Sequence, residues 1–314
     1  DNFVWMSDDQ VREAVSRSFP TFDGMAPPTE GTPALISRAL EALLSERRIP
    51  GRVAFMPQAD LKGGLLGYVF KVEPSPRVCA VEETGASGDA GRDISSTARE
   101  LVGKEYSRSY FTSMADATLV DIYRRRGHWR AAFAQPVLVV EPPGCSGVSV
   151  TLAVTEGPAY RWQGAEWTGN VGLPTATLDK LLGMTSGSVA DGRKINDGLL
   201  AVRKAYRQHG FLLQTATLSP RLDDAARTAV FEVRVEEGPQ FRMGTVQFVG
   251  LAEEDAATLL KRWKLAPGEV FNADYASDFL VKEIRPRRGN ARLPELQFDV
   301  DQASRIVNVR FVAS

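Results

Sequence analysis

Side chains that commonly carry catalysis are scarce here: two histidines and two cysteines in 314 residues. His128 follows Gly127 and His209 precedes Gly210, each where a helical pattern ends. A helix C-terminus carries partial negative charge and favours an imidazolium, which gives both a structural role; metal binding or catalysis is the alternative reading. No serine sits in a Gly-x-Ser-x-Gly elbow, and neither histidine has a triad setting. Gly183-Met184-Thr185-Ser186-Gly187 is small and Gly-rich, but it lacks the lysine of a phosphate-binding loop and does not follow a strand. Cys79 and Cys145 match no zinc spacing. These residues point away from an enzyme, and no cofactor or metal is expected.

Bulk properties narrow the classes further. A net charge of −1 gives no global field for nucleic acid. No apolar run approaches the roughly 18 residues of a transmembrane helix. The start, Asp1-Asn2-Phe3-Val4-Trp5, is neither an initiator methionine nor a signal peptide, so the chain reads as processed or trimmed. Arg124-Arg125-Arg126 and Arg285-Pro286-Arg287-Arg288 read first as solvated helix ends, and second as contacts for phosphate headgroups or an acidic partner.

The dominant signal is repetition. Glu156-Gly157-Pro158-Ala159-Tyr160-Arg161-Trp162, continuing to Glu166-Trp167-Thr168-Gly169, recurs without a gap 81 residues later. The copy is Glu237-Gly238-Pro239-Gln240-Phe241-Arg242-Met243, continuing to Gln247-Phe248-Val249-Gly250. A fixed period of this size marks an array of similar modules, and such arrays bind or space more often than they catalyse.

The clearest unit predicts a strand over 160–168, helices over 174–182 and 191–208, a strand over 211–218 and, after a polar turn around Asp223-Asp224, a last strand. Its second helix carries an apolar stripe of Ile195, Leu199, Val202 and Tyr206. Its last strand turns Ala229, Phe231, Val233 and Val235 to one face. The next unit repeats the order with strands over 241–249, 295–300 and 305–312 and helices over 254–263 and from 273 to before Pro286 and Gly289. The preceding unit has a strand near 78–81, helices near 93–102 and 112–126, and strands near 129–140 and 147–155. The first unit has helices near 8–18 and 33–46 and strands near 51–57 and 65–73; its opening strand is either Phe3-Val4-Trp5 or missing. The expected fold class is therefore α+β: a tandem array of four β-α-α-β-β units over 1–75, 76–158, 159–239 and 240–314. In each, a three-stranded mixed sheet hides one apolar face under two helices. The first and last strands become parallel neighbours, and the middle strand pairs antiparallel with the last and forms an edge.

That geometry brings Cys79, at the start of one first strand, towards Cys145, just before the last strand of the same unit. A Cys79–Cys145 disulfide is expected, worth roughly 2–4 kcal/mol; two separate buried thiols are the alternative. Trp162, Trp167 and Trp263 read as core residues, while His128 and Trp129 open an edge strand and read as exposed. The linkers Glu156-Gly157-Pro158 and Glu237-Gly238-Pro239 are too short to tether loosely, so neighbouring units should touch at restricted angles.

This arrangement resembles a string of polypeptide-transport-associated (POTRA) domains of the BamA/TamA-like outer-membrane assembly superfamily. The resemblance rests on the strand ending in Gly169-Asn170, on the Tyr-x-x-x-Gly pairs Tyr123/Gly127 and Tyr206/Gly210, and on the Glu-Gly-Pro tripeptides. Arg285, near the expected tyrosine, and Pro286 depart from it. The resemblance implies a periplasmic address, unfolded outer-membrane or secreted polypeptides as clients, assembly lipoproteins or an inner-membrane tether as partners, and a C-terminal β-barrel in the full-length protein. No barrel sequence lies within the chain.

Edge strands offer unpaired N–H and C=O groups to which an extended client can add itself. The expected edge in the third unit is Phe211, Leu212, Leu213, Gln214, Thr215, Ala216, Thr217 and Leu218. In the second it runs over 129–139, with Trp129, Ala131 and Phe133, and Pro136 removes one donor. The rival readings are a transport module of a two-partner secretion transporter, and a structural scaffold that docks a lipoprotein or cell-wall partner without touching clients.

Overall fold

In the third sheet the alternating residues Ala229, Phe231, Val233 and Val235 of β9 (Thr228–Glu236) are all buried, and this strand is the centre of the module. β7 (Arg161–Thr168) lies parallel on one side and β8 (Thr215–Asp223) antiparallel on the other. Each fully buried side chain of the size of Phe231 contributes about 1.5–3 kcal/mol. The covering helices are α6 (Thr175–Leu182) and α7 (Gly192–Gln208). α7 starts at Asp191, whose carboxylate accepts from the backbone N–H groups of Arg193 and Lys194. Its buried stripe is Ile195, Gly198, Val202 and Tyr206. A Cβ at Gly198 would lie 2.4 Å from the Leu182 carbonyl, so glycine sets the approach of the two helices.

The structure, a computed structural model, describes residues 1–20, 22, 31–60, 63–288 and 294–313. The expected helix end at Gly289 and the side chains of Arg287 and Arg288 lie outside the described residues. Within those bounds the fourth sheet repeats the third. β10 (Arg242–Val249) is parallel to β12 (Ile306–Val312), and β11 (Glu295–Asp301) pairs with the other side of β12. The second sheet sets β3 (Arg77–Thr84) parallel to β6 (Gly147–Thr155), with β4 (Ala132–Phe133) and β5 (Val137–Val140) antiparallel on the far side of β6. The first sheet has two strands, β1 (Arg52–Ala59) and β2 (Leu65–Glu73), packed under α1 (Asp8–Ser18) and α2 (Thr32–Glu46). Phe3-Val4-Trp5 forms no strand; Phe3 is buried in the core beneath α2.

The long helices of the second and fourth repeats contain a π-helical turn. In the second, α4 (Arg108–Met114) passes through a π turn at Ala115–Leu119 into α5 (Val120–Arg124). In the fourth, α9 (Ala273–Phe279) passes through Leu280–Ile284 into α10 (Arg285–Arg288). The expectation that this helix stops before Pro286 is thus corrected. Where hydrogen bonds reach one residue further, the turn is re-registered and the carbonyl that a proline ring would strike is relocated. The first helix of the fourth repeat is α8 (Glu253–Arg262), and that of the second is α3 (Gly88–Arg99).

Cys79 and Cys145 form a disulfide with Cα atoms 6.2 Å apart. Cys79 occupies the bulge between Val78 and Ala80, where the β3–β6 ladder skips a residue. The chain forms two compact units. One comprises Asp1–Tyr123 and Arg130–Gly157, the other Arg124–Trp129 and Pro158–Ser314. Each holds its own buried cores.

Candidate functional site

The paired sequence motifs have a common structural reason. Tyr206 of α7 donates its hydroxyl to Glu237 at 2.9 Å, and Glu237 also accepts from the Gly172 N–H at 2.8 Å. Tyr123 donates to Glu156 at 3.0 Å, and Glu156 accepts from the Ser87 N–H at 2.7 Å. The glutamate of each Glu-Gly-Pro thus ties the end of the second helix to the loop after the first strand. Burial, reinforced by the Glu237 carboxylate, pushes the Tyr206 pKa far above the usual tyrosine value. Gly210, at φ 82°, gives its carbonyl to the Phe241 N–H at 2.9 Å; a Cβ there would meet the Phe241 oxygen at 2.6 Å. The third and fourth repeats are docked through this bond and through Gln208 and Lys204, which both reach Asp274, at 2.7 and 3.6 Å.

One repeated pair escaped the sequence reading. Arg77, Arg161 and Arg242 open their strands and donate to the carbonyls of Gly103, Gly187 and Gly268, at 2.7, 2.8 and 2.8 Å. The common separation of 26 residues was the available signal.

The third-sheet edge is displaced from its expected place. Phe211, Leu212, Leu213 and Gln214 are not strand; β8 begins at Thr215 and runs to Asp223. Gly210 turns the chain so that the Phe211 N–H closes onto the Tyr206 carbonyl, and the Phe211 ring packs edge-on against Tyr206. Phe211 and Gln214 are buried, and the Gln214 side-chain amide has no partner among the described residues. Of the expected edge residues, Thr215, Ala216 and Thr217 do lie in β8, all exposed. The ladder runs unbroken through Pro220, which pairs with Phe231. A residue without an N–H fits there only if its nitrogen faces away from the partner strand. By alternation the N–H and C=O groups of Ala216, Leu218 and Leu222 face outward too, with a gap in donors at Pro220. Arg221, on the sheet face opposite the helices, reaches Glu232 of β9 at 2.7 Å and Glu166 of β7 at 3.0 Å.

The second edge is also corrected. The stretch over 129–139 is not one strand. Trp129 is half-buried, donates to the Ala190 carbonyl at 2.7 Å and packs edge-on against Phe231 at 4.8 Å. His128 is likewise half-buried, Ala131 is buried and Phe133 packs on the core. The ladder holds at Ala132–Phe133, lapses towards Pro136 and resumes as β5 with a one-residue change of register. An indole N–H and a large ring gain more from a partner carbonyl and an apolar wall than from solvent.

Among the described residues, no group of three or more His, Cys, Asp or Glu is placed to hold a metal ion, and no helix is long and apolar enough to cross a membrane.

Residues 160–238 match the family model for POTRA, the surface antigen variable number repeat. The fold is similar to Haemophilus influenzae BamA POTRA3-5, with a TM-score of 0.54 and 20% identity, over 76% of this chain and 96% of that one. POTRA1-3 of the periplasmic domain of Omp85 from Anabaena aligns at a TM-score of 0.35 and 19% identity, over 77% and 97%. A "Putative outer membrane protein assembly factor" of Treponema pallidum (strain Nichols) is 24% identical over 150 residues, which cover 48% of this chain and 18% of that protein.

Proposed function

We propose that this tandem array of POTRA-like domains is the periplasmic, polypeptide-handling part of an outer-membrane protein assembly factor. It holds extended client segments by strand addition and docks partner proteins such as assembly lipoproteins or an inner-membrane tether. A membrane β-barrel in the full-length protein belongs to the same reading, as do the four domains over 1–75, 76–158, 159–239 and 240–314. The name of the Treponema relative supports the assembly role, and the Cys79–Cys145 bond suits an oxidising compartment such as the periplasm.

The observation that carries the reading is the exposed outer edge of β8, on the repeat that matches the POTRA model. Main-chain hydrogen bonds are indifferent to client sequence, which suits a protein with many clients. Pairing along Thr215–Ser219 uses the outward groups of Ala216 and Leu218 before Pro220 interrupts them. Fluorescence anisotropy of a labelled extended peptide tests this. Ala216→Pro and Leu218→Pro remove outward donors, and each should weaken binding about tenfold, or ~1.4 kcal/mol. Unchanged affinity in both variants excludes pairing at β8. Photo-crosslinking from Thr217 that captures one folded partner and no unfolded barrel precursor would favour the scaffold reading instead.

A further inference from the structure

Two hairpin turns share the pattern Asp-x-Ala-x-Arg. Asp223-Asp224-Ala225-Ala226-Arg227 joins β8 to β9, and Asp301-Gln302-Ala303-Ser304-Arg305 joins β11 to β12. Each aspartate accepts from the backbone N–H groups two and three residues on. Each arginine lies in the left-handed region, at φ 55° for Arg227 and 57° for Arg305. Glycine fits such a hairpin position at low cost, whereas the Cβ of an L residue crowds its own backbone there. Both repeats nonetheless hold an arginine, and strain kept in the same place twice points to a use for the side chain.

In the fourth repeat the Arg305 carbonyl accepts from the Arg242 N–H at 2.9 Å, so two arginines stand together where β12 and β10 begin. Arg242 spends one guanidinium N–H on the Gly268 carbonyl, and neither arginine forms an ion pair among the described residues. Asp301 is occupied by its own turn, and the Glu269 carboxylate accepts from the Ala266 N–H at 2.8 Å. The third hairpin differs, because there Asp224 accepts from the Tyr160 hydroxyl. The fourth has Gln302 and Phe241 at those two places, which removes the acid. A cleft of about 510 Å³ opens beside Arg242 and Arg305. Met243, Pro267 and Ile306 form its apolar wall, and among the described residues no Asp or Glu lines it. The cleft lies over the bulge of β10 between Met243 and Val246. A Cβ at Gly244 would come 2.5 Å from the Ile306 side chain and 2.3 Å from the Asn308 amide oxygen, so glycine lets the bulge lie against β12.

We infer that this cleft docks a protein partner through an acidic residue followed by a large aliphatic one. The carboxylate is held by the Arg242 and Arg305 guanidinium groups, whose planar forks of donors match its two oxygens. The aliphatic side chain covers Met243, Pro267 and Ile306 and shields the ion pair from water, which strengthens it. Two cations with no acid among the lining residues select an anionic partner, and the apolar wall selects a side chain over a free ion. The inference rests on the partner-docking role proposed above and makes no use of the strand edge at β8.

Amide chemical shifts of the full chain test this, in a titration with the end-blocked peptide Gly-Ser-Glu-Leu-Gly-Ser. The peptide should shift the Thr245, Gly268 and Ile306 amides and saturate. Changing its glutamate to glutamine should weaken binding about tenfold. Arg305→Gly should weaken it about as much while the melting temperature stays near that of the parent, because glycine accepts the left-handed conformation. Arg227→Gly, in the third hairpin, should leave binding unchanged. Ala216→Pro should also leave it unchanged, which separates a failure here from a failure at β8. Absence of shifts at the three amides overturns the inference, as does equal affinity for the glutamine peptide or in Arg305→Gly. Phosphatidylglycerol vesicles that shift these amides where the peptide does not also overturn it, because the occupant would then be a membrane surface.

Discussion

Tyr206 and Glu237 meet at 2.9 Å, and the Glu237 carboxylate is held at the same time by the Gly172 N–H. A hydrogen bond to a charged group contributes more than a neutral one, and removing one partner leaves the other desolvated. Tyr206→Phe should therefore cost about 1.5–3 kcal/mol, read as a lower urea midpoint with an unchanged slope. The Tyr206 pKa is raised in the folded protein by burial and then by Glu237. A raised pKa means that the folded state keeps a proton which the unfolded chain releases near pH 10. This contribution is fully present below about pH 10 and is lost as the pH climbs through the folded-state value. Urea unfolding followed between pH 9 and 11 should show a steeper alkaline loss in the parent than in Tyr206→Phe. The two motifs that meet here, Tyr-x-x-x-Gly and Glu-Gly-Pro, were both legible as repeats in the sequence. Their contact was not, because periodicity along one helix gives no distance to a residue 31 positions away.

At the scale of the element, small changes of register decide which groups are offered. β8 begins four residues later than alternation suggested, since Gly210 and the buried Phe211 hold the chain in a turn. Its polarity follows from Pro220. Thr217→Pro, at an inward position paired with Arg234, should lower the unfolding midpoint, whereas Ala216→Pro should leave it near the parent value while weakening peptide binding. Circular dichroism melts of the two variants separate folding from binding. The π turn at Ala115–Leu119 has an arithmetic cause. In α7 the buried residues Ile195, Gly198, Val202 and Tyr206 follow the Asp191 cap, while from the Ser107 cap Leu119 and Tyr123 come one position later than Val202 and Tyr206 do. The extra residue is absorbed as a π turn, which returns Tyr123 to reach Glu156. Deleting the exposed Ala117 should convert the turn to regular helix, with Tyr123 still bonded to Glu156 and the melting temperature held or raised. A large loss of stability on deletion would contradict this origin.

Across the whole molecule, stability is divided among small cores, and covalent constraint falls on one unit alone. The disulfide closes a separation of 66 residues inside the first unit. Restricting an unfolded loop of that length is worth roughly 2–4 kcal/mol. Trp129, Trp162, Trp167 and Trp263 lie in the second unit and Trp5 in the first. Reduction with a thiol should therefore lower the transition of the first unit, followed by exchange at buried amides such as Val148 and Val150, and leave the tryptophan-fluorescence transition of the second nearly unmoved. Equal shifts in both signals would show that the two units unfold together.

The sequence alone determined the unit of construction. An ungapped repeat and switches between alternating and helical periodicity required small mixed sheets under paired helices, because these patterns reflect local geometry and which face is buried. Only the tertiary structure decided where edges begin, which backbone groups point outward and which aromatic rings are covered. Trp129 shows the difference. It reads as the opening of an exposed strand, yet it finds the Ala190 carbonyl and the Phe231 ring, neither of which is near it along the chain. Alternation names two faces of a strand, but the neighbour on each side and the residue at which pairing starts depend on contacts between segments distant in sequence.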